Sequence, residues 1–110
     1  MKKINSKQKG KRGELEWCKF CKKYGINIRR SQQYCGSSKD SADCVGLDGI
    51  HFEVKRVEKL NIDKAMEQAI NDCGFSKAIP VVVHKKNRGK WLVTMRAEDW
   101  IETVAFDGYK

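Results

Sequence analysis

The chain has 110 residues and a formal net charge of +9, with 23 Lys and Arg against 14 Asp and Glu. Hydrophobic residues make up 40% and charged residues 34% of it, which excludes a disordered composition, and no run reaches the roughly 20 apolar residues of a membrane span. We therefore expect one soluble domain with a polyanionic partner, nucleic acid first, although charge that serves only solubility is the alternative.

The N-terminal segment 1–9 is basic and has no apolar stretch of the kind that a signal peptide contains. It is predicted to be a flexible arm before a single domain over 10–110, in a protein that stays in the cytoplasm. Five cysteines, an odd number without regular spacing, argue against a disulfide scaffold. The C-x-x-C pair of Cys18 and Cys21 falls in a helical pattern, so packing is a better interpretation than zinc or redox chemistry.

The first predicted element is a helix over 13–24. Trp17 and Cys21 recur there at helical spacing, and Gly25 suits the position just past the end. At about 100° per residue, Glu14 projects near the middle of the same apolar face. A carboxylate on an inward face is costly unless a partner there needs it, so Glu14 becomes a candidate functional residue.

The remaining predicted elements follow in chain order, and they are strands 26–30, 43–47, 50–57, 79–84 and 91–95, a polar loop over 31–41, and helices 61–73 and 97–104. The Asp48-Gly49 pair is a strong two-residue turn signal, which indicates a hairpin between the second and third strands. Asn61 can cap the longer helix, and Gly74 can end it. The order α-β-β-β-α-β-β-α predicts an α/β fold, with a central mixed sheet of four to five strands flanked by helices.

The third predicted strand carries a carboxylate and an ammonium group on one face. Glu53 and Lys55 are two residues apart and share that face, while Phe52 and Val54 point into the core. The hairpin returns the chain so that Asp43 lies beside them. Two converging carboxylates repel each other unless a cation lies between them, and Mg²⁺ or Mn²⁺ prefers such oxygen ligands. A metal, two carboxylates and a lysine are what hydrolysis of a phosphodiester needs.

A non-catalytic interpretation of these residues stays open, because Glu and Lys two apart on a strand more often form a solvated face. Three observations favour catalysis: the hairpin that joins Asp43 to Glu53, the inward position of Glu14, and the basic charge of the chain. His51 shares the face of Glu53 and is expected to be an ordinary surface histidine, with an approach to the site as the alternative.

The same residues resemble the PD-(D/E)xK nuclease superfamily, and most of all the small Holliday-junction resolvases of archaea and related phage endonucleases. The likeness spans roughly residues 9–103, and the stretches that carry it are KGKRGE at 9–14, SADCVG at 41–46, FEVKRV at 52–57, PVVV at 80–83 and WLVT at 91–94. Ala42 stands where the family name has proline. The resemblance implies a single-domain restriction-endonuclease-like fold and an endonuclease that hydrolyses DNA.

The resemblance also implies a role for each residue of the site. Asp43 and Glu53 would bind Mg²⁺ or Mn²⁺, with the carbonyl of Val54 as a further ligand. Lys55 would position or activate the attacking water and stabilise charge on the phosphate. Glu14 would reach the metal through water or act on a second ion.

Further expectations concern the surroundings of the site. Gln68 matches a position where the family often carries a polar residue, which makes it another catalytic candidate. Resolvases of this type act as homodimers on branched DNA, here in a bacterial or phage-infected host cell. The apolar residues near Trp91, Trp100 and Phe106 are expected to pack in the core, with a dimer interface as the alternative. DNA contacts are expected from basic and hydroxyl side chains around the site, namely Arg12, Arg29, Arg30, Ser37, Ser38, Lys39, Lys85, Lys86 and Arg88.

Three functions compete at this point: a structure-specific nuclease such as a Holliday-junction resolvase, a restriction or repair nuclease acting on duplex DNA, and a nucleic-acid-binding module without catalysis. The fold does not choose between them, because one fold supports many substrates. The net charge suits all three. A binding module does not explain the inward Glu14 or the pairing of Asp43 with Glu53.

Overall fold

Five strands and three helices occupy the part of the chain that the computed structural model describes, which is residues 6–31 and 42–106. The elements are α1 (Ser6–Lys22), β1 (Arg29–Arg30), β2 (Cys44–Val45), β3 (Ile50–Arg56), α2 (Ile62–Cys73), β4 (Ile79–Lys85), β5 (Leu92–Met95) and α3 (Ala97–Trp100), which continues into a π-helical segment over Ile101–Phe106. This order is the predicted one. The predicted DNA contacts Ser37, Ser38 and Lys39 lie outside the described residues.

The strands form one sheet in the order β1-β2-β3-β4-β5. Strands β3 and β4 are parallel, and the other neighbours are antiparallel, so the sheet is mixed as predicted. Helix α2 supplies the crossover that a parallel pair requires. Its start is capped by the side chain of Asn61, which accepts a hydrogen bond from the Lys64 amide, and Gly74 follows its end. Both predicted helix boundaries are confirmed.

The predicted hairpin joins β2 to β3. Gly49 has a φ of +80°, a left-handed conformation that glycine adopts without strain, and it lies in the turn. Cys44 pairs with Phe52 in the antiparallel register, and the amide of Asp43 donates to the carbonyl of Phe52 at 2.8 Å. The hairpin therefore brings Asp43 to the side of Glu53.

The sheet separates two apolar cores. On one face α1 packs against β3, with the ring centroids of Trp17 and Phe52 5.7 Å apart. On the other face α2 buries Ala65 and Ala69 against Val82. Alternate residues of β3 therefore face different helices. None of the helices within 6–31 and 42–106 has the length and apolar character needed to cross a membrane.

Several boundaries and environments differ from the predictions. Helix α1 begins at Ser6, so residues 6–9 of the predicted arm are helical; Lys and Gln favour helix without adding an apolar pattern that would reveal it. Strand β1 is limited to Arg29–Arg30 because only these residues pair with β2. Trp91 packs on Trp17, whereas Trp100 is 51% exposed, so core packing is wrong for Trp100. The side chain of Phe106 lies outside the described residues.

Gly46, just after β2, has no room for a side chain. Its φ is +145°, and an added Cβ would overlap the carbonyl oxygen of Asn27 and lie 3.0 Å from the Cα of Ile28. Gly46→Ala should therefore lower the free energy of unfolding by about 2 kcal/mol or more, as measured by urea titration. Gly10→Ala is the matched control, because an added Cβ there meets nothing within 4 Å. Equal stability of the two variants would contradict this assignment of strain.

Candidate active site

The polar side chains of β3 lie on the face that α2 covers. His51 and Glu53 are almost fully buried, at 5% and 1% exposure, and Lys55 follows them at the end of the strand. The Nζ of Lys55 donates to Oε1 of Gln68, on α2, at 3.1 Å. Strand β3 and helix α2 thus bring Glu53, Lys55 and Gln68 to one side of the sheet.

The side chain of Asp43 is held against β3 by a hydrogen bond to a backbone amide. Its Oδ2 accepts from the amide of Val54 at 2.8 Å. Its own amide donates to Phe52, so both its backbone and its carboxylate are fixed by the neighbouring strand. The contact uses the amide of Val54, whereas the predicted metal ligand is the carbonyl, which stays a prediction. The carboxylate of Asp43 is therefore oriented before any ligand arrives.

The surroundings of Asp43 disfavour its negative charge. Burial, and next the nearby carboxylate of Glu53, raise the pKa of Asp43 to about 7 from its ordinary value of 3.8, and Glu14 adds to the increase. The Val54 amide and the ammonium group of Lys55 act in the opposite direction. Two carboxylates and one lysine are therefore close enough to Asp43 to influence it. That these four residues form a catalytic site stays a prediction.

Glu14 lies on the inward side of α1 and forms an ion pair. Its Oε1 is 2.7 Å from Nε of Arg30, and its side chain is only 16% exposed. The guanidinium group of Arg30 thus compensates the charge of the inward-facing Glu14. Arg30, which was expected to contact DNA, is engaged with this carboxylate. Replacing one residue of the pair would leave the other with an uncompensated, partly buried charge.

The closest group of potential metal ligands within the described segments is not the predicted one. Ligand atoms of His51, Glu53 and Asp72 all lie within 4.8 Å of one another. Asp43 and Glu14 do not belong to this group. The expectation that His51 is a surface histidine is wrong, because α2 covers it. Sequence reasoning also missed Asp72.

A periodic signal for Asp72 was nevertheless present in the sequence. Asp72 follows Ala65 by seven residues and Ala69 by three, which puts all three on the same stripe of α2. Both alanines are buried, so a carboxylate on their stripe faces the sheet rather than solvent. An acidic residue on the inward stripe of a helix is the same signal that singled out Glu14.

The donors present fit a divalent cation. Glu53 is buried, Asp43 is oriented beside it, and the two carboxylates repel each other in the absence of positive charge. Carboxylate oxygens are the ligands that Mg²⁺ and Mn²⁺ prefer. The residues on this face therefore have the chemistry of a metal site as well as a lysine next to it.

Basic side chains continue beyond the end of β3. Lys55 pairs with His84 and Arg56 with Lys85 in the parallel register, so the segment that follows β4 starts at this end of the sheet. A groove of about 770 Å³ opens there, and its basic lining residues are Lys59, Lys85, Lys86 and Lys90. The predicted DNA contacts Arg12, Arg29, Lys86 and Arg88 are exposed.

The cysteines near the site pack as neutral thiols. Cys21 lies on the buried face of α1. Sγ of Cys18 lies 3.8 Å from Sγ of Cys44. Burial raises the pKa of Cys18 and raises that of Cys21 to about 11. Zinc ligation requires thiolates, so these environments favour the packing interpretation of the C-x-x-C pair.

A family model described as "Phage putative PDDEXK endonuclease" matches residues 5–107. The chain belongs to this family. The match covers every strand and helix of the described structure, and it agrees with the resemblance to the PD-(D/E)xK superfamily. The mixed five-stranded sheet with its three helices is accordingly a restriction-endonuclease-like fold. No curated protein and no solved structure matches the chain.

The raised pKa of Asp43 in this PDDEXK chain predicts a pH-dependent stability. Between pH 3.8 and about 7 the folded protein retains a proton at Asp43 that the unfolded chain releases. The free energy of unfolding should therefore fall as the pH rises through this range, and then level off above it. Urea titrations in EDTA across this range measure the effect. Asp43→Asn cannot ionise and should show a smaller decrease; an equal decrease in both proteins would contradict the assignment.

Proposed function

We propose that this protein is a metal-dependent endodeoxyribonuclease whose reaction centre is formed by Asp43, Glu53 and Lys55. The observation that carries the proposal is the carboxylate of Asp43, fixed by the Val54 amide beside the buried Glu53, with Lys55 next along the same face. Membership of an endonuclease family supports it. The combination provides two carboxylates for a cation and one ammonium group for the phosphate.

Asp43 and Glu53 would hold Mg²⁺ or Mn²⁺, with the Val54 carbonyl as a further ligand. Such a cation supplies positive charge to the phosphate and acidifies a water molecule. Glu14 is held by Arg30, so it would act through water or on a second ion rather than as a direct ligand. The repulsion between Asp43 and Glu53 favours the binding of a cation, because the cation removes it.

Lys55 would orient the attacking water and offset the negative charge that develops on the phosphate. Its ammonium group carries three donors, one of which Gln68 already engages at 3.1 Å. Among residues 6–31 and 42–106 no further hydrogen bond of this group is seen, so its other donors can bind water and phosphate. Gln68 would therefore act as a positioning residue, since its amide oxygen keeps the lysine on the substrate side of α2.

The DNA would be bound by the exposed basic residues Arg12, Arg29, Lys86 and Arg88 and by Ser37, Ser38 and Lys39. We propose branched DNA, such as a Holliday junction, as the substrate, in the cytoplasm of a bacterial or phage-infected cell. A homodimer would cut its two symmetric strands. The exposed apolar side chains of Leu92 and Val93 on the edge strand β5 are compatible with such a dimer.

Binding to DNA should depend steeply on salt. If about six phosphates are neutralised, the logarithm of the binding constant should fall with the logarithm of the salt concentration with a slope of about −5. Arg88→Ala should reduce the magnitude of that slope by about 1. Fluorescence anisotropy of a labelled junction, titrated at several salt concentrations without divalent cations, measures both values. A slope near zero would contradict the proposed electrostatic interface.

The substrate is tested by a cleavage panel of equal-length four-way junction, flap, nicked duplex, intact duplex and single-stranded DNA in Mg²⁺. The proposal expects paired, symmetric cuts in the junction and at least tenfold slower cutting of intact duplex. Preferential cutting of intact duplex would instead identify a restriction or repair nuclease. Binding without a product from any form, in Mg²⁺ or Mn²⁺, would identify a nucleic-acid-binding module.

A further inference from the structure

Glu53 also belongs to a second set of ligating side chains, which does not include Asp43. His51 precedes Glu53 by two residues on β3, and Asp72 reaches the same place from the last turn of α2. Nε2 of His51 is 3.4 Å from Oε1 of Glu53, and one ligand atom of each of the three residues lies within 4.8 Å of the others. The set combines one imidazole with two carboxylates from two different elements.

These distances are close to those around a bound ion. Ligands about 2.1 Å from a divalent cation lie about 3.0 Å apart when they are adjacent and about 4.2 Å apart when they are opposite. The His51–Glu53 separation of 3.4 Å falls within that span. The other two separations are at most 4.8 Å, about 0.6 Å beyond its upper end. The three ligand atoms therefore lie close to the spacing of ligands around one ion.

The burial and the local charge also favour a cation. His51 and Glu53 are 5% and 1% exposed, which is uncommon for an imidazole and a carboxylate, and Asp72 adds a second carboxyl group. The last turn of α2 carries no basic residue, so the partial negative charge of its terminal carbonyls adds to the same potential. Arg96, whose charge reaches the adjacent Cys73, is paired with Asp99 at 2.8 Å. A positive ion between His51, Glu53 and Asp72 would stabilise the buried carboxylate of Glu53.

We propose that His51, Glu53 and Asp72 bind a second divalent cation of the transition-metal class, with Glu53 shared between this ion and the candidate active site. An imidazole ligand disfavours Mg²⁺, which prefers oxygen, and suits Mn²⁺ and the later transition metals. The ion would fix the orientation of Glu53. The inference deepens the proposed function, because it concerns the same glutamate, but its metal site can be measured without any cleavage.

The first test uses the unmodified protein and Mn²⁺ alone. Pulsed electron paramagnetic resonance of bound Mn²⁺ should detect a directly coordinated nitrogen, since one ligand is Nε2 of His51. His84, the second of the two histidines in the chain, lies on β4 beside Thr94 and provides the matched control. His84→Gln should keep the nitrogen coupling, and His51→Gln should remove it. Bound Mn²⁺ without nitrogen coupling in the unmodified protein would overturn the proposal.

The second test counts bound Mn²⁺ by titration and separates this site from the candidate active site. His51→Gln and Asp72→Asn should each weaken one of two Mn²⁺ ions by about tenfold or more and leave the other, while Asp43→Asn should do the reverse. Mg²⁺ should fill only the site that needs Asp43. If neither His51→Gln nor Asp72→Asn changes Mn²⁺ binding, the second site is overturned and the proposed nuclease stands. If a His51-dependent ion binds but no DNA is cut, the second site stands and the nuclease falls.

Discussion

Asp43→Asn should abolish DNA cleavage while leaving the protein at least as stable as before. The substitution removes one of the two carboxylates proposed to hold the cation, and the loss of several kcal/mol of transition-state stabilisation corresponds to a decrease of about 10³-fold or more in the single-turnover rate. The asparagine oxygen can still accept from the Val54 amide. Because burial and Glu53 raise the pKa of Asp43 to about 7, removal of its charge should not reduce stability at neutral pH.

The measurement combines three readouts on one preparation: cleavage rate, dissociation constant for uncut junction, and thermal midpoint. Asp48→Asn is the matched control, since Asp48 is exposed and Asn-Gly forms the same type of turn as Asp-Gly. The control should cut normally. Cleavage within tenfold of normal in Asp43→Asn would refute the role of this carboxylate. A large loss of DNA affinity would show that the residue acts mainly in binding.

Lys55→Met should reduce the single-turnover cleavage rate by about 10²–10³-fold. Methionine keeps the apolar length of the side chain but has no ammonium group to orient water or to offset charge on the phosphate. Affinity for DNA should decrease only slightly, because one positive charge among about six phosphate contacts is lost. Lys64→Met, at an exposed position of α2, removes the same charge outside the site and serves as the control. Equal cleavage by the two variants would contradict the role of Lys55.

The positions of the central side chains follow from local signals in the sequence. The two-residue period of β3 assigns Glu53 and Lys55 to one face, and the Asp48-Gly49 turn brings Asp43 beside them. Asn61 and Gly74 define the ends of α2 for equally local reasons. Each of these features depends on residues that are within about ten positions of one another. For that reason a single sequence predicts them.

The burial and the partners of these side chains depend on contacts between elements that are distant in the sequence. His51 is buried because α2, which follows it in the chain, covers that face of β3. The ion pair between Glu14 and Arg30 joins α1 to the sheet edge, and no periodicity predicts which basic residue meets which carboxylate. Asp72 was detectable by its helical spacing but carried no family motif. Such pairings arise from tertiary packing rather than from local propensity.

The start of α1 and the exposure of Trp100 have similar causes. Residues 6–9 are helical without an apolar stripe, so the apolar pattern predicts the helix only from residue 13, where the buried face of Trp17 and Cys21 begins. Tryptophan is a large apolar residue that can be buried in a core, yet α3 is short and leaves Trp100 51% exposed. Composition identifies which side chains can be buried, while the packing of whole elements decides which of them are.

The most direct test of the proposed chemistry is removal and return of the divalent cation during cleavage of a four-way junction. Protein treated with EDTA should bind the junction and form no product, and added Mg²⁺ or Mn²⁺ should restore cutting in the unmodified protein. Lys55→Met and Asp43→Asn should remain inactive after the same addition. Cutting that continues in EDTA, or restored cutting in Asp43→Asn, would contradict a metal-dependent nuclease built on these residues.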